Sequence, residues 1–433
     1  MTRVVITPDS AAAQQVPTSD DTIVFVDGET LLTAEGEFLK YAQGITSLES
    51  DLLRLSGAVF AADRAVVRGE GQDLARVIQL EIPVVNVARL LPLRSVLEDL
   101  LYRLSQDAWT ISFQQMSGTP ESTAPIPKEK RSGTTLLFSG GADSLAAALE
   151  FGNTNRLQLV SHKTHNAVTD RAQRDLVDYL NAHGYDLPHM QFLVSSRSAP
   201  SNPARHDEEE SQRTRSFVFL TLGSLVARRS GDTKVVFLAE NGQMAIHLPL
   251  TQGRIGALST HTAHPDVLRV AEALLSRALD YSFSITNPYV YQTKAEVVNR
   301  ILATLPDTLW LSNSCWRNSR LSKGTHCGCC VPCFVRRIAI ERHGKDQTVY
   351  ARDAWRDDLR AAPADDLARR NMADFGEFIT RFRTFSDEEV LSEWPELYSD
   401  AMDATQVISM YRRFAIEADA VLSQYPLMRP FLQ

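Results

Sequence analysis

Thr134-Thr-Leu-Leu-Phe-Ser-Gly-Gly-Ala-Asp-Ser-Leu-Ala-Ala-Ala148 is the stretch on which the fold turns. The apolar run Thr134–Phe138 reads as a buried strand. Gly140 and Gly141 then permit a tight turn and close approach of a ligand to the backbone. A helix over Ala142–Phe151 follows at once, so its free N–H groups and the positive end of its dipole face that turn. A strand, a turn and a helix in this order bind anions, phosphates above all. Ser139 and Ser144 add hydroxyl groups, and Asp143 is placed to orient the loop or to help hold Mg²⁺. No Gly-Lys-Ser/Thr follows at Walker A spacing, and the dinucleotide Gly-x-Gly-x-x-Gly signature is missing. A Gly-Ser turn that merely starts a helix is the plainer alternative; the flanking strand and helix favour the anion loop.

Outward from this loop, strands and helices alternate. Further strands are expected at Leu157–Ser161, Met190–Ser195, Lys234–Ala239 and Tyr281–Thr286, with helices near Thr169–His183 and Ser211–Arg229. The first of these helices carries Ala172, Leu176, Val177 and Leu180 on one face and stops at Gly184. The second is apolar on most sides, as a helix packed deep against a sheet would be. Such alternation implies an α/β fold with a doubly wound parallel sheet, whose functional groups gather at the carboxyl ends of the strands. Glu240 and Asn241 fall just past one strand, where they are candidate substrate contacts; a turn-forming Asn-Gly is the alternative. Lys163 falls after another strand and is a candidate for the nucleotide. Arg215 opens the apolar helix and could meet phosphate or substrate. Thr293 and Glu296 form a capping box for a helix striped by Val298, Ile301, Leu302 and Leu305.

Residues 132–345 thus form the central domain. Residues 1–116 read as a small α+β unit, with a strand at Thr22–Val26, a helix around Leu48–Val66 and extended runs at Arg76–Val87 and Trp109–Phe113. Ser117–Arg131, rich in Pro, Ser, Thr and charge, reads as a linker. Residues 346–433 read as a helical region whose last helix is marked by Val407, Met410, Tyr411, Phe414, Ala418, Val421 and Leu422.

The chain has 433 residues, of which 44% are hydrophobic and 23% charged, a globular composition. No run of eighteen apolar residues is present, and Met1–Asp20 has no apolar segment of a secretory signal, so a cytoplasmic location is expected. The net charge of −8 argues against a general grip on nucleic acid and leans toward small molecules or protein partners. Asp207–Glu210 reads as a solvated helix start. His261 and His264 sit in a loop setting that gives them little claim to a metal.

All five cysteines lie between Cys315 and Cys333. A disulfide framework would spread them along the chain, so clustering points to a metal. Cys315, Cys327, Cys330 and Cys333 match the closed tetrahedral set of a structural Zn²⁺, leaving Cys329 spare. Exchange of Cys329 or His326 into the shell, or an iron–sulfur cluster in place of zinc, are the alternatives.

Ser139-Gly-Gly-Ala-Asp-Ser144, followed by Ser314-Cys315-Trp316 and Cys327-Gly-Cys-Cys330-Val-Pro-Cys333-Phe-Val-Arg336, resembles the 7-cyano-7-deazaguanine synthase (QueC) family of PP-loop ATP pyrophosphatases. Arg215-Ser-Phe-Val-Phe-Leu220 and Thr293-Lys294-Ala-Glu296 resemble two further family elements. The resemblance covers about Thr134–Arg342. It implies an adenine nucleotide alpha hydrolase-like fold using ATP, Mg²⁺ and Zn²⁺. Ser139, Gly140, Gly141, Ala142, Asp143, Ser144 and Lys163 would hold the nucleotide, and Arg215, Glu240, Asn241 and Lys294 the substrate. Asp143, Ser144 and Arg215 would serve catalysis.

In that family 7-carboxy-7-deazaguanine is adenylated, converted to an amide with ammonia, and adenylated again to yield the nitrile. The stretch Glu240-Asn-Gly-Gln-Met-Ala-Ile-His-Leu-Pro-Leu-Thr-Gln-Gly-Arg254 departs from the D-Y-S-G-Y-x-D pattern of the housekeeping enzyme. With its two flanking regions, the chain is similar to the longer QueC-like proteins of bacterial antiphage defence operons. That likeness implies an ATP-dependent ligase attaching the deazaguanine, through an amide, to an operon-encoded partner protein. Nitrile synthesis with ammonia is the alternative; tRNA thiolation and a non-catalytic assembly subunit stand further off.

Overall fold

A computed structural model of the chain describes residues 1–17, 19–69, 75–118, 131–153, 156–163, 167–197, 208–209, 211–236, 239–251, 262–317, 321 and 326–432. Apart from its ends, the predicted 117–131 linker lies outside these residues, as do His261, Asp207 and Glu210.

Ten strands are described: β1 Thr2–Thr7, β2 Thr22–Val26, β3 Leu31–Thr33, β4 Val77–Val84, β5 Ala108–Gln115, β6 Arg131–Leu137, β7 Leu157–Lys163, β8 His189–Ser196, β9 Asp232–Val236 and β10 Ser284–Thr286. The larger sheet has the order β10-β9-β6-β7-β8-β3. Its first five strands are parallel, and β3 closes the far edge antiparallel to β8, with Leu31 opposite Ser196. From β6 the chain winds outward through β7 and β8, then returns to the other side of β6 for β9 and β10. The α/β class with a parallel sheet therefore holds, with an antiparallel edge added.

Alternate residues along the strands face opposite layers. Leu136, Phe138, Leu159 and Val236 share an apolar core with helices Ala142–Gly152, Ala167–Ala182 and Lys294–Thr304. Leu137, Val160, Phe192 and Val235 face the other way, toward helices Arg215–Ser230 and Pro265–Leu279. Both faces are covered, which is why these strands read as unbroken apolar runs.

The N-terminal region corrects one expectation. Its second sheet, ordered β2-β1-β4-β5, is parallel throughout, so this region is α/β rather than α+β. The reason is connectivity: helices Ser10–Ala13, Ser47–Ala65 and Arg94–Ser105 lie between its strands, and a crossover helix returns the chain in the same direction. Helix Ser47–Ala65 lies against Arg215–Ser230 of the central region. Glu49, fully buried, ties the two together by accepting a 2.7 Å hydrogen bond from Arg229 Nε. One apolar core runs through both regions.

The C-terminal helices Leu367–Thr384 and Ala404–Leu422 pack with Val331–Glu341 around a further core that includes Phe334, Trp355, Phe375 and Trp394. Every residue of the predicted stripe from Val407 to Leu422 is buried there. Ile246 and Leu248, from the segment after β9, join the same core. Among the described residues, no helix is long and apolar enough to cross a membrane.

Candidate functional site

The turn after β6 is built as its sequence demands. Gly140 has φ +80°, in the left-handed region, and a Cβ there would lie 3.3 Å from the Gln173 backbone nitrogen. Ser139 Oγ accepts the Gly141 N–H at 3.3 Å and lies 3.2 Å from Ser144 Oγ. Ser144 is fully buried and its hydroxyl donates to the Gly141 carbonyl, so both serines shape the turn from within. The Asn313 N–H clamps the turn from outside by donating to the Gly140 carbonyl at 3.0 Å. Gly141 is the N-cap of helix Ala142–Gly152 and no side chain caps it. The first-turn N–H groups are therefore left for an external acceptor.

β6 and β9 are neighbours at the point where the strand order reverses, the place where open α/β sheets bind ligands. Asp143, just past β6, and Asn241, just past β9, meet there: Asn241 Nδ2 donates to Asp143 Oδ2 at 3.0 Å. Lys294, 5% exposed at the start of its helix, donates to the same oxygen at 2.8 Å. The capping box read from sequence is present and fixes that helix start, with Thr293 Oγ1 accepting from the Glu296 N–H and Glu296 from the Thr293 N–H. Gln243 accepts the Lys294 N–H at 3.1 Å.

Four polar atoms of this neighbourhood are buried without a partner among the described residues: Asp143 Oδ1, Asn241 Oδ1, Gln243 Nε2 and Asn313 Nδ2. A buried polar group without a hydrogen bond is costly, so each of these atoms calls for a partner such as a water or an ion. Asp143 Oδ1 and Asn241 Oδ1 are oxygen donors of the kind Mg²⁺ takes.

Glu240 stands beside this group. Its carboxyl is pushed up to about 7, by burial first and by the Asp143 charge second; Lys294 and the Thr262 hydroxyl pull the other way. Asn287 Nδ2 holds the Glu240 carbonyl at 2.7 Å.

Arg215 and Lys163 are not joined to the cluster. Arg215 Nε donates to His162 Nδ1 at 3.2 Å, and its guanidinium lies over the Phe219 ring. His162, on β7 and fully buried, gives its Nε2 proton to the Val194 carbonyl at 2.8 Å, which fixes a neutral tautomer. Burial foremost, then the Arg215 charge, lowers its pKa to about 3. Lys163 is exposed at the end of β7, and its side chain has no hydrogen bond or ion pair among the described residues. His162, Gln243 and Asn313 carry no sequence signature; for His162 and Gln243 a position in or after the end of a strand was the one available signal, and Asn313, after the short helix Pro306–Leu311, offered none.

The four sulfurs of Cys315, Cys327, Cys330 and Cys333 lie within 4.8 Å of one another, all buried, and could hold a metal ion such as zinc. Backbone N–H groups of Arg317 and Cys327 donate to Cys315 Sγ, and those of Cys329 and Cys330 to Cys327 Sγ. Such donors suit thiolates. The other three sulfurs, Cys315 foremost, hold the Cys327 thiol well below its ordinary range. Cys329 falls outside the set, its carbonyl accepting from Asn371 Nδ2. His326 is outside it too: its Nε2 accepts the Ser314 N–H at 3.1 Å. Comparison with known proteins finds no family model that matches this chain and no curated protein that matches it.

Proposed function

We propose that the chain is an ATP-dependent ligase that adenylates 7-carboxy-7-deazaguanine and passes the acyl group to an amine of a partner protein, in antiphage defence. What carries this reading is the Asp143–Asn241–Lys294 cluster beside the uncapped first turn of helix Ala142–Gly152, at the reversal of strand order. The free N–H groups suit the pyrophosphate end of ATP. A carboxylate oxygen attacks the α-phosphorus, and the bond to pyrophosphate breaks. The amine nitrogen then attacks the acyl carbon, AMP departs, and the amine loses a proton. Lys294 and the turn amides stabilise the charge gathering on the leaving pyrophosphate. Mg²⁺, held by Asp143 and Asn241, would add positive charge to that same end. In this reading Glu240 takes the amine's proton.

That role fixes a pH dependence. Glu240 accepts a proton only when ionised, and its pKa is raised to about 7, so amide formation rises with pH through about 7. Glu240→Gln is expected to remove this limb and slow amide formation by about 10²-fold. Initial rates from about pH 5.5 to about pH 8.5 check it; an unchanged profile in the variant assigns the proton transfer elsewhere.

The functional reading itself is tested by incubating the protein with ATP, the deazaguanine acid and candidate acceptors. AMP, pyrophosphate and an acceptor heavier by one amide-linked deazaguanine are expected by mass spectrometry. Complete conversion of the acid to the nitrile with ammonia alone would reject conjugation as the main role. ATP binding without turnover on any acid would leave an assembly subunit.

A further inference from the structure

The capping box that starts helix Lys294–Thr304 is held from outside by a helix far along the chain. A capping box ordinarily closes on itself, its two side chains each bonding to the other residue's backbone. Here both members carry a further partner from helix Ala404–Leu422. Thr293 Oγ1, which accepts the Glu296 N–H, donates its own proton to Glu417 Oε1 at 2.9 Å. Glu296, which accepts the Thr293 N–H on Oε2, accepts Arg413 Nε on Oε1 at 2.8 Å. Arg413 Nη2 also donates to the Tyr291 carbonyl at 2.8 Å, just before the cap. Thr293 is fully buried, so its hydroxyl needs the acceptor that Glu417 supplies.

The same face of that helix supports the other arm of the cluster. Met410, Arg413 and Glu417 are spaced three and then four residues apart, which lays them along one stripe. Gly242 sits close against this stripe: a Cβ there would lie 2.6 Å from Met410 Cε and 2.5 Å from the Val290 carbonyl oxygen. The Gly242 N–H donates to the Gln292 carbonyl at 2.8 Å, tying the segment after β9 to the turn before the cap. Asn241 and Lys294, the two donors to Asp143 Oδ2, are therefore each next in sequence to a residue that meets helix Ala404–Leu422.

We propose that helix Ala404–Leu422 is a positioning element for Lys294, acting through Glu417 and Arg413: by holding the capping box it sets where the Lys294 ammonium meets Asp143. Lys294 is 5% exposed and its Nζ lies 2.8 Å from Asp143 Oδ2, so its reach is fixed by where its helix begins. A displacement of about 1 Å at such a group costs on the order of 10²-fold in rate. The inference rests on the role given to Lys294 above and adds two residues from beyond the stretch that resembles the QueC family.

Steady-state pyrophosphate release from ATP with 7-carboxy-7-deazaguanine, and chemical labelling of Lys294, test it together on the full chain. Glu417→Ala and Arg413→Ala are each expected to lower kcat at least about 10-fold, with the KM for ATP changed by less than about 2-fold, because Lys294 meets charge that gathers only as pyrophosphate leaves. Burial foremost pushes the Glu417 carboxyl up to about 7, so a neutral amide of the same shape suits its place. Glu417→Gln keeps an oxygen for Thr293 and is expected to recover most of the lost kcat. In a Lys294→Met background, Glu417→Ala is expected to change kcat by less than about 2-fold, since its effect passes through the ammonium. Reductive methylation followed by mass spectrometry is expected to modify Lys294 at least about 5-fold faster in both alanine variants than in wild type, with exposed Lys163 unchanged. Thermal melting checks folding. Should Glu417→Ala fail to fold, Arg413→Ala, whose side chain is 42% exposed, carries the test.

Wild-type labelling of Lys294 in both alanine variants overturns the proposal. So does a kcat loss of equal size with and without Lys294, or Glu417→Gln as slow as Glu417→Ala. If Lys294 labels faster in the variants while wild type releases no pyrophosphate, the positioning stands and the ligase reading falls. If wild type releases pyrophosphate and both alanine variants match its kcat, the ligase reading stands and the positioning falls.

Discussion

Asp143→Asn is expected to lower ATP-dependent pyrophosphate release by about 10³-fold while the chain stays folded. Asp143 is the residue that joins the Gly140–Gly141 turn to the segment after β9 and to the Lys294 helix, since its Oδ2 accepts from both Asn241 and Lys294. Asparagine keeps an oxygen for those donors and loses the charge and the second oxygen donor a divalent cation needs. Asp143→Ala is the harsher change. It leaves Lys294 buried and unpaired, which costs about 3–5 kcal/mol, so activity and melting temperature fall together. Comparing the two separates chemistry from stability. The Asp143 charge also helps hold Glu240 up near 7. In Asp143→Asn the pH limb of residual amide formation therefore moves toward lower pH, as it should when a neighbouring negative charge is removed. Full pyrophosphate release in Asp143→Asn would sink the assigned role of the cluster.

Metal removal is the second large effect. One zinc ion per chain is expected by elemental analysis, bound by Cys315, Cys327, Cys330 and Cys333. Stripping it, or Cys333→Ser, is expected to lower the melting temperature by about 10 °C or more, because metal binding at such sites is folding free energy. The loss should reach the nucleotide. The Cys315 N–H bonds to Asn313 Oδ1, and the Asn313 N–H holds the Gly140 carbonyl at 3.0 Å. When the cysteine segment loosens, the clamp on the turn loosens with it, and ATP affinity is expected to fall in the same titration. A brown, iron-containing protein purified without air would replace zinc by an iron–sulfur cluster.

The elements that were legible in the sequence are those whose cause is local. The turn at Gly140–Gly141, the capping box of Thr293 and Glu296, and the cysteine spacing each write their structure within a few residues. The buried stripe of the last helix is also local, since helical period alone exposes it. What escaped was set by distant pairing. β1 went unread because Met1–Asp20 is mostly polar, and only the strand's position between β2 and β4 buries Val4, Val5 and Ile6. Parallel direction in that sheet cannot be read from extended runs, which look alike either way. β3 is three residues long, and its partner lies at Ser196. In the site, Asp143 and Asn241 were named for their places after strands and Lys294 through the family resemblance of Thr293-Lys294-Ala-Glu296, and the geometry brings them together. Lys163 ends β7, yet its side chain meets no partner among the described residues, because strand-end position says where a side chain begins and not what it meets. His162 and Gln243 act through three-dimensional neighbours and leave no trace in spacing.

The pairing of Leu31–Thr33 with Ser196–Val194 has a consequence during synthesis. The strand leaves the ribosome long before its mate, and the larger sheet has a bare flank until the two find each other. An unpaired flank of that kind invites association with other nascent chains. The N-terminal region thus shields the larger sheet from its neighbours on the polysome. Cutting it away to obtain a shorter chain would yield a body with a sticky seam.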